Sequence, residues 1–102
     1  MNIDNLTRDS IKQEIVKCLS GEGEIRKIVI FGSFIKSCDP HDIDIAVFED
    51  SADSYLTLAL KYRQKMRLLS HRIPVDVFPL RTGVHEASFL VEVEKGEVIY
   101  EK

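Results

Sequence analysis

Long apolar runs are missing from this chain. No stretch approaches the length needed to cross a bilayer, and the opening MNIDNLTRDS lacks the basic-then-apolar order of a secretory leader, so a cytoplasmic protein is expected. Cysteine is scarce as well. Cys18 and Cys38 are two thiols without CxxC spacing, and they read as reduced side chains rather than a structural disulfide or a zinc site. Repeats, low-complexity tracts and linkers are absent, so residues 1–102 are expected to form a single domain with one modest core. A cationic surplus is absent too. The net charge of −3 disfavours indiscriminate nucleic-acid binding, which needs basic groups to displace counterions.

What remains is the composition of an ordinary globular protein, 44% apolar and 30% charged, too mixed for a disordered chain. The charge is unevenly spread. Lys61, Arg63, Lys65, Arg67 and Arg72 fall within twelve residues that contain no acid, which suits either a docking face or a solvated helix face.

Apolar spacing predicts the elements. Ile11, Ile15 and Leu19 recur every fourth residue and mark one side of a helix, with Thr7 or Ser10 as its cap and Gly21 as its stop. IRKIVIFG reads as a central strand, apolar on both faces and ended by Gly32. After the break at Asp39-Pro40, IDIAVF reads as a second strand. Residues 53–70 return to helical spacing through Tyr55, Leu58, Tyr62, Met66 and Leu69. PVDVF, bracketed by Pro74 and Pro79, reads as a strand that is short or near an edge. The C-terminal stretch FLVEVEKGEVIY fits a hairpin, but Val84, Ala87, Leu90, Val91 and Glu94 also fit a helix stopped at Gly96 and followed by a strand, which is the preferred reading. The expected class is α+β, an α/β sandwich with helices on a small mixed sheet.

Within this frame three acids are out of place. Side chains alternate along a strand, so Asp42 and Asp44 share a face while Ile43, Ile45 and Val47 point into the core. Asp76 obeys the same rule between Val75 and Val77. If the two strands are neighbours, three carboxylates converge, and their repulsion favours protonation unless cations join them. Oxygen-only donors suit Mg²⁺ or Mn²⁺ better than zinc. Gly32, at a strand end, permits close approach to the main chain, and Ser33 adds a hydroxyl; together they suit a phosphate group.

The order IVIFGSF, DIDIAVF, PVDVF and KGEVIYE resembles the minimal nucleotidyltransferases of the DNA polymerase β superfamily, from about Ile25 to Tyr100. The resemblance implies a polymerase β palm-like fold with helices mainly on one face of the sheet. It implies that Gly32 and Ser33, with Lys36 as the basic residue, bind a nucleoside triphosphate such as ATP. It implies that Asp42 and Asp44 hold two Mg²⁺ ions, with Asp76 ligating one of them and orienting an attacking hydroxyl. Two residues depart from the family pattern: Ser37 stands in place of a glycine and His41 in place of a serine. His41 fits either a phosphate contact or an exposed loop position, and His71 and His85 have no recognisable partners. Single-domain members resemble antitoxins whose partner is a helical HEPN-domain protein, and there the acceptor would be a tyrosine hydroxyl that becomes AMP-modified. The alternatives are a catalytically lapsed, neutralising partner of a HEPN protein, or nucleotidyl transfer to RNA or a small molecule. A hetero- or homo-oligomer fits any of these.

Overall fold

The computed structural model describes residues 5–36, 40–82, 91 and 93–102. Helix α1 spans Asn5–Leu19, followed by strand β1 (Ile25–Phe31), a single helical turn α2 (Ser33–Lys36) and strand β2 (Ile43–Glu49). Helices α3 (Tyr55–Lys65) and α4 (Arg67–Ser70) then lead into β3 (Val75–Arg81), and β4 (Glu97–Glu101) closes the described chain.

The strands form one mixed sheet in the order β3-β2-β1-β4. β1 runs antiparallel to both β2 and β4, whereas β2 and β3 are parallel and joined by the α3–α4 crossover. The alternation of β1 divides its apolar residues between two clusters. Ile28 and Ile30 join Ile11, Ile15 and Leu19 of α1, Ile43, Ile45 and Val47 of β2, and Leu58, Tyr62 and Met66 from the α3 region. Val29 and Phe31 face the other way, with Ala46, Phe48, Phe78, Leu80 and Val93. The larger core therefore lies on the helical side. The second face is lined with aromatic side chains, Phe31 and Phe78 having ring centroids 5.8 Å apart.

Several expectations need correction. α1 begins at Asn5, so Thr7 and Ser10 lie inside the helix and neither caps its start. The additional turn brings Arg8 over Phe34 of α2. The stripe between residues 53 and 70 is divided at Met66, whose φ of −103° and ψ of 18° are not helical, although Met66 itself remains buried. Ser54 caps α3 by accepting a hydrogen bond from the Thr57 amide. Tyr55 belongs to the expected apolar stripe yet is 56% exposed, like Leu56 and Thr57 in the same first turn of α3. β3 lies at an edge, as Pro74 and Pro79 suggested, but it is not short: it continues through Pro79 to Arg81, which an edge strand tolerates because one side needs no ladder donor.

At the C-terminal end, Val91, Val93 and Glu94 are helical, and β4 pairs with β1 rather than with a preceding strand. That favours helix then strand over the hairpin; Val84, Ala87 and Leu90 of the expected helix lie outside the described residues. Gly96 is required by close packing, since a Cβ there would lie 2.3 Å from the Ile30 carbonyl oxygen.

Candidate active site

Three chain segments end at one place: the C-terminal end of β1 and the N-terminal ends of β2 and β3. The register sets Phe31 opposite Asp44 and Asp44 beside Asp76. Directly paired strand residues share a face, so both acids continue the rows of Phe31 and Phe78 on the side opposite α1 and α3. Asp42 lies one step before β2 and joins them. One carboxylate oxygen from each of Asp42, Asp44 and Asp76 falls within 4.8 Å of the other two, and all three residues are half-buried. The expected convergence of these acids is thus present in the fold.

The turn after β1 completes the cluster. Gly32 has φ +78°, in the left-handed region where a side chain is strained. It also lies against Asp44, and a Cβ on Gly32 would sit 2.5 Å from Asp44 Oδ2. The next residue, Ser33, donates its hydroxyl to Asp42 Oδ1 at 3.1 Å. Lys36 ends the α2 turn with its side chain exposed. His41, next to Asp42 in the chain, is exposed, and so is His71 at the end of α4, while Ser37, Cys38 and His85 lie outside the described residues. Cys18 is a free thiol.

The electrostatics of the cluster are those of crowded carboxylates. Burial raises the Asp44 pKa first, the charges of Asp42 and Asp76 add to the effect, and the carboxyl is pushed up to about 6. A hard divalent cation would reverse that penalty. The donor set fits one: carboxylate oxygens from the starts of two adjacent strands, with neither cysteine nor histidine among them.

The basic segment from Lys61 to Arg72 is largely engaged with its own chain. Lys61 pairs with Glu24 at 2.7 Å, Lys65 with Glu22 at 2.7 Å, and Arg72 with Glu14 at 3.3 Å. The same Glu24 carboxylate accepts the hydroxyl of buried Tyr62 at 2.9 Å, which ties α3 to the turn before β1. Arg63 and Arg67 remain exposed on the outward side, near the exposed Leu56, Leu60 and Leu68.

A family model described as Polymerase beta, Nucleotidyltransferase matches residues 13–102. The chain belongs to that family. Among curated proteins there is no significant match. Among solved structures, the chain is similar to the complex of a tri-AMPylated Shewanella oneidensis HEPN toxin with its MNT antitoxin, at 22% identity and a TM-score of 0.60, covering 93% of this chain and 73% of that one. It is also similar to the MntA-HepT toxin–antitoxin structure, at 20% identity and a TM-score of 0.62, covering 92% of this chain and 73% of that one. A toxin–antitoxin structure with AMP-PNP gives 21% identity and a TM-score of 0.65, covering 89% and 73%. At these identities the likeness establishes the nucleotidyltransferase fold, with its small mixed sheet and helices. No helix among the described residues is long and apolar enough to cross a membrane.

One side chain packed against the α2 turn escaped the sequence reading. Arg8 carries no motif, and helical periodicity marks only the apolar side of α1. Its contact with Phe34 across 26 residues becomes visible only once α1 is packed against the turn.

Proposed function

We propose that this chain is a Mg²⁺-dependent nucleotidyltransferase that moves AMP from ATP to a hydroxyl, the acceptor being a tyrosine on a HEPN-type toxin that it neutralises as an antitoxin. The observation that carries the reading is the gathering of Asp42, Asp44 and Asp76 within 4.8 Å, beside Gly32 and Ser33. In this reading Asp42, Asp44 and Asp76 would hold the metal pair, and Asp76 would also orient the incoming hydroxyl. Bound there, the ions would stabilise the entering and departing oxygens and lower the pKa of the nucleophile. The bare main chain at Gly32 and the hydroxyl of Ser33 seat the triphosphate, with Lys36 as a nearby cation. The three aspartates make no covalent bond; they fix charge and geometry around the reacting α-phosphorus. The hydroxyl loses its proton to solvent as its oxygen forms the new bond to the α-phosphorus, and pyrophosphate leaves with the electrons of the broken bond.

Support for the acceptor class comes from the neighbours. One is a complex with a tri-AMPylated HEPN toxin, and another contains AMP-PNP. For the contact with the partner we propose the outward side of α3 and α4, where Arg63 and Arg67 flank exposed leucines. Its complement is an apolar helix face rimmed by acids. The test is to incubate the chain with Mg-ATP and a HEPN-domain protein encoded beside it and to weigh the partner intact. A mass gain equal to AMP groups, lost with Asp76→Asn, is expected. A tight complex with no mass gain would instead identify a neutralising partner without catalysis.

A further inference from the structure

We propose that Arg8 is a positioning residue for the Gly32-Ser33 turn, holding α2 in the conformation that presents Ser33 to Asp42. This rests on the nucleotidyltransferase reading for its functional consequence, but not for its structural content.

α2 has four residues, too few to be stable on its own account, because the first turn of a helix costs more than it returns. Its internal bonds run from the amides of Ile35 and Lys36 to the Gly32 carbonyl, at 3.2 and 3.3 Å. Among the anchors outside the turn that supplement them, two act at Phe34. The ring of Phe34 is fully buried in the helical-side core. From α1, the Arg8 guanidinium lies 5.1 Å from the centroid of that ring, and its Nη1 donates to the Phe34 carbonyl oxygen. That carbonyl belongs to a helix end, where acceptors lack partners within the helix and a cation is favourable. One side chain therefore secures both the ring and the main chain of the residue that follows Ser33.

The linkage continues into the cluster. Ser33 donates to Asp42 at 3.1 Å, and Gly32 packs against Asp44, so any displacement of α2 reaches two of the three acids. Arg8 precedes the residues 13–102 matched by the family model.

The experiment compares wild type, Arg8→Ala and Arg8→Lys by amide hydrogen exchange and by titration of AMP-PNP with Mg²⁺. Alanine favours helix, so α1 should persist in the first variant. Exchange at Ile35 and Lys36 should rise about tenfold in Arg8→Ala while Ile28 and Ile45 in the central strands keep their protection. Lysine, which retains the charge and a donor, should recover part of the loss. AMP-PNP affinity should fall about tenfold in Arg8→Ala. Unchanged exchange at Ile35 and Lys36, or an equal rise at Ile28 and Ile45, would overturn the assignment. If Arg8→Ala fails to fold, Arg8→Gln supplies the same comparison. Wild type that binds no AMP-PNP would refute the enzymatic reading, and the exchange data would still decide the role of Arg8.

Discussion

Gly32 and Asp44 occupy one packing site: there is room for the carboxylate only because residue 32 has no side chain. A Cβ at Gly32 would stand 2.5 Å from Asp44 Oδ2, and the φ of +78° disfavours any L side chain besides. Gly32→Ala should therefore cost about 1–3 kcal/mol of stability and weaken metal and nucleotide binding together. Chemical denaturation paired with calorimetric titration checks both effects. A variant that loses stability but binds AMP-PNP and Mg²⁺ normally would show that the glycine serves the turn alone.

The raised pKa of Asp44 has a definite sign. In the unfolded chain this group titrates near 3.8 and in the fold at about 6, so between these values the folded state holds more protons. Its contribution to stability is then greatest at low pH and is lost as pH rises towards about 6. Asp44→Asn removes that penalty. Without metal at pH 7, the variant should melt about 4 °C higher than wild type, allowing for solvent screening of a half-buried group. The difference should shrink as pH falls from 6 to 4. Transfer activity should meanwhile drop about a hundredfold or more.

Metal binding should follow the same titration in the opposite sense. A cation needs the ionised carboxylate, so protons compete with it as pH falls through about 6. Mn²⁺ affinity measured between pH 5 and pH 8 should weaken steadily on the acidic side and level off above pH 7. A flat profile would argue against Asp44 as a ligand.

Much of this arrangement was legible in the sequence because β-strand alternation is strict. Once IDIAVF and PVDVF are strands with Ile43, Ile45 and Val77 buried, the acids between them must share the opposite face. Whether the two strands are adjacent is a matter of topology, and local pattern carries no information on it; the parallel pairing of Asp44 with Asp76 emerges only in the assembled sheet. The ion pairs of the basic segment were hidden for a related reason. Spacing reveals that Lys61 and Lys65 share a helix, but not that Glu22 and Glu24 of the turn before β1 lie beneath them. Likewise the break at Met66 has no breaker residue to announce it, and it keeps Met66 buried where α3 gives way to α4 on the path to β3.

That division of the basic residues is itself testable. Lys61→Ala removes a cation from Glu24 and Glu22 and should destabilise the protein by about 0.5–1 kcal/mol. Reversing charge at exposed Arg63 and Arg67 should leave the melting temperature within about 1 °C of wild type. The same reversal should weaken the complex with a HEPN-type partner about tenfold or more, as read by surface plasmon resonance. Equal effects on both properties would remove the distinction between structural and docking cations.

Tyr62 offers a probe of the scaffold away from the acids. Its hydroxyl donates to Glu24 at 2.9 Å from a buried position, and Lys61 meets the same carboxylate oxygen. Tyr62→Phe should cost about 0.5–1.5 kcal/mol in denaturant unfolding while leaving Mn²⁺ affinity unchanged, because Glu24 keeps its lysine. A loss of metal binding would mean that α3 and the acidic cluster are coupled more closely than the packing indicates.

The most direct measurement is anomalous diffraction from crystals grown with Mn²⁺ and AMP-PNP. Metal peaks about 2.2 Å from carboxylate oxygens of Asp42, Asp44 and Asp76, with the triphosphate against Gly32 and Ser33, are the predicted result. Manganese bound elsewhere, or a nucleotide seated away from that turn, would contradict the account.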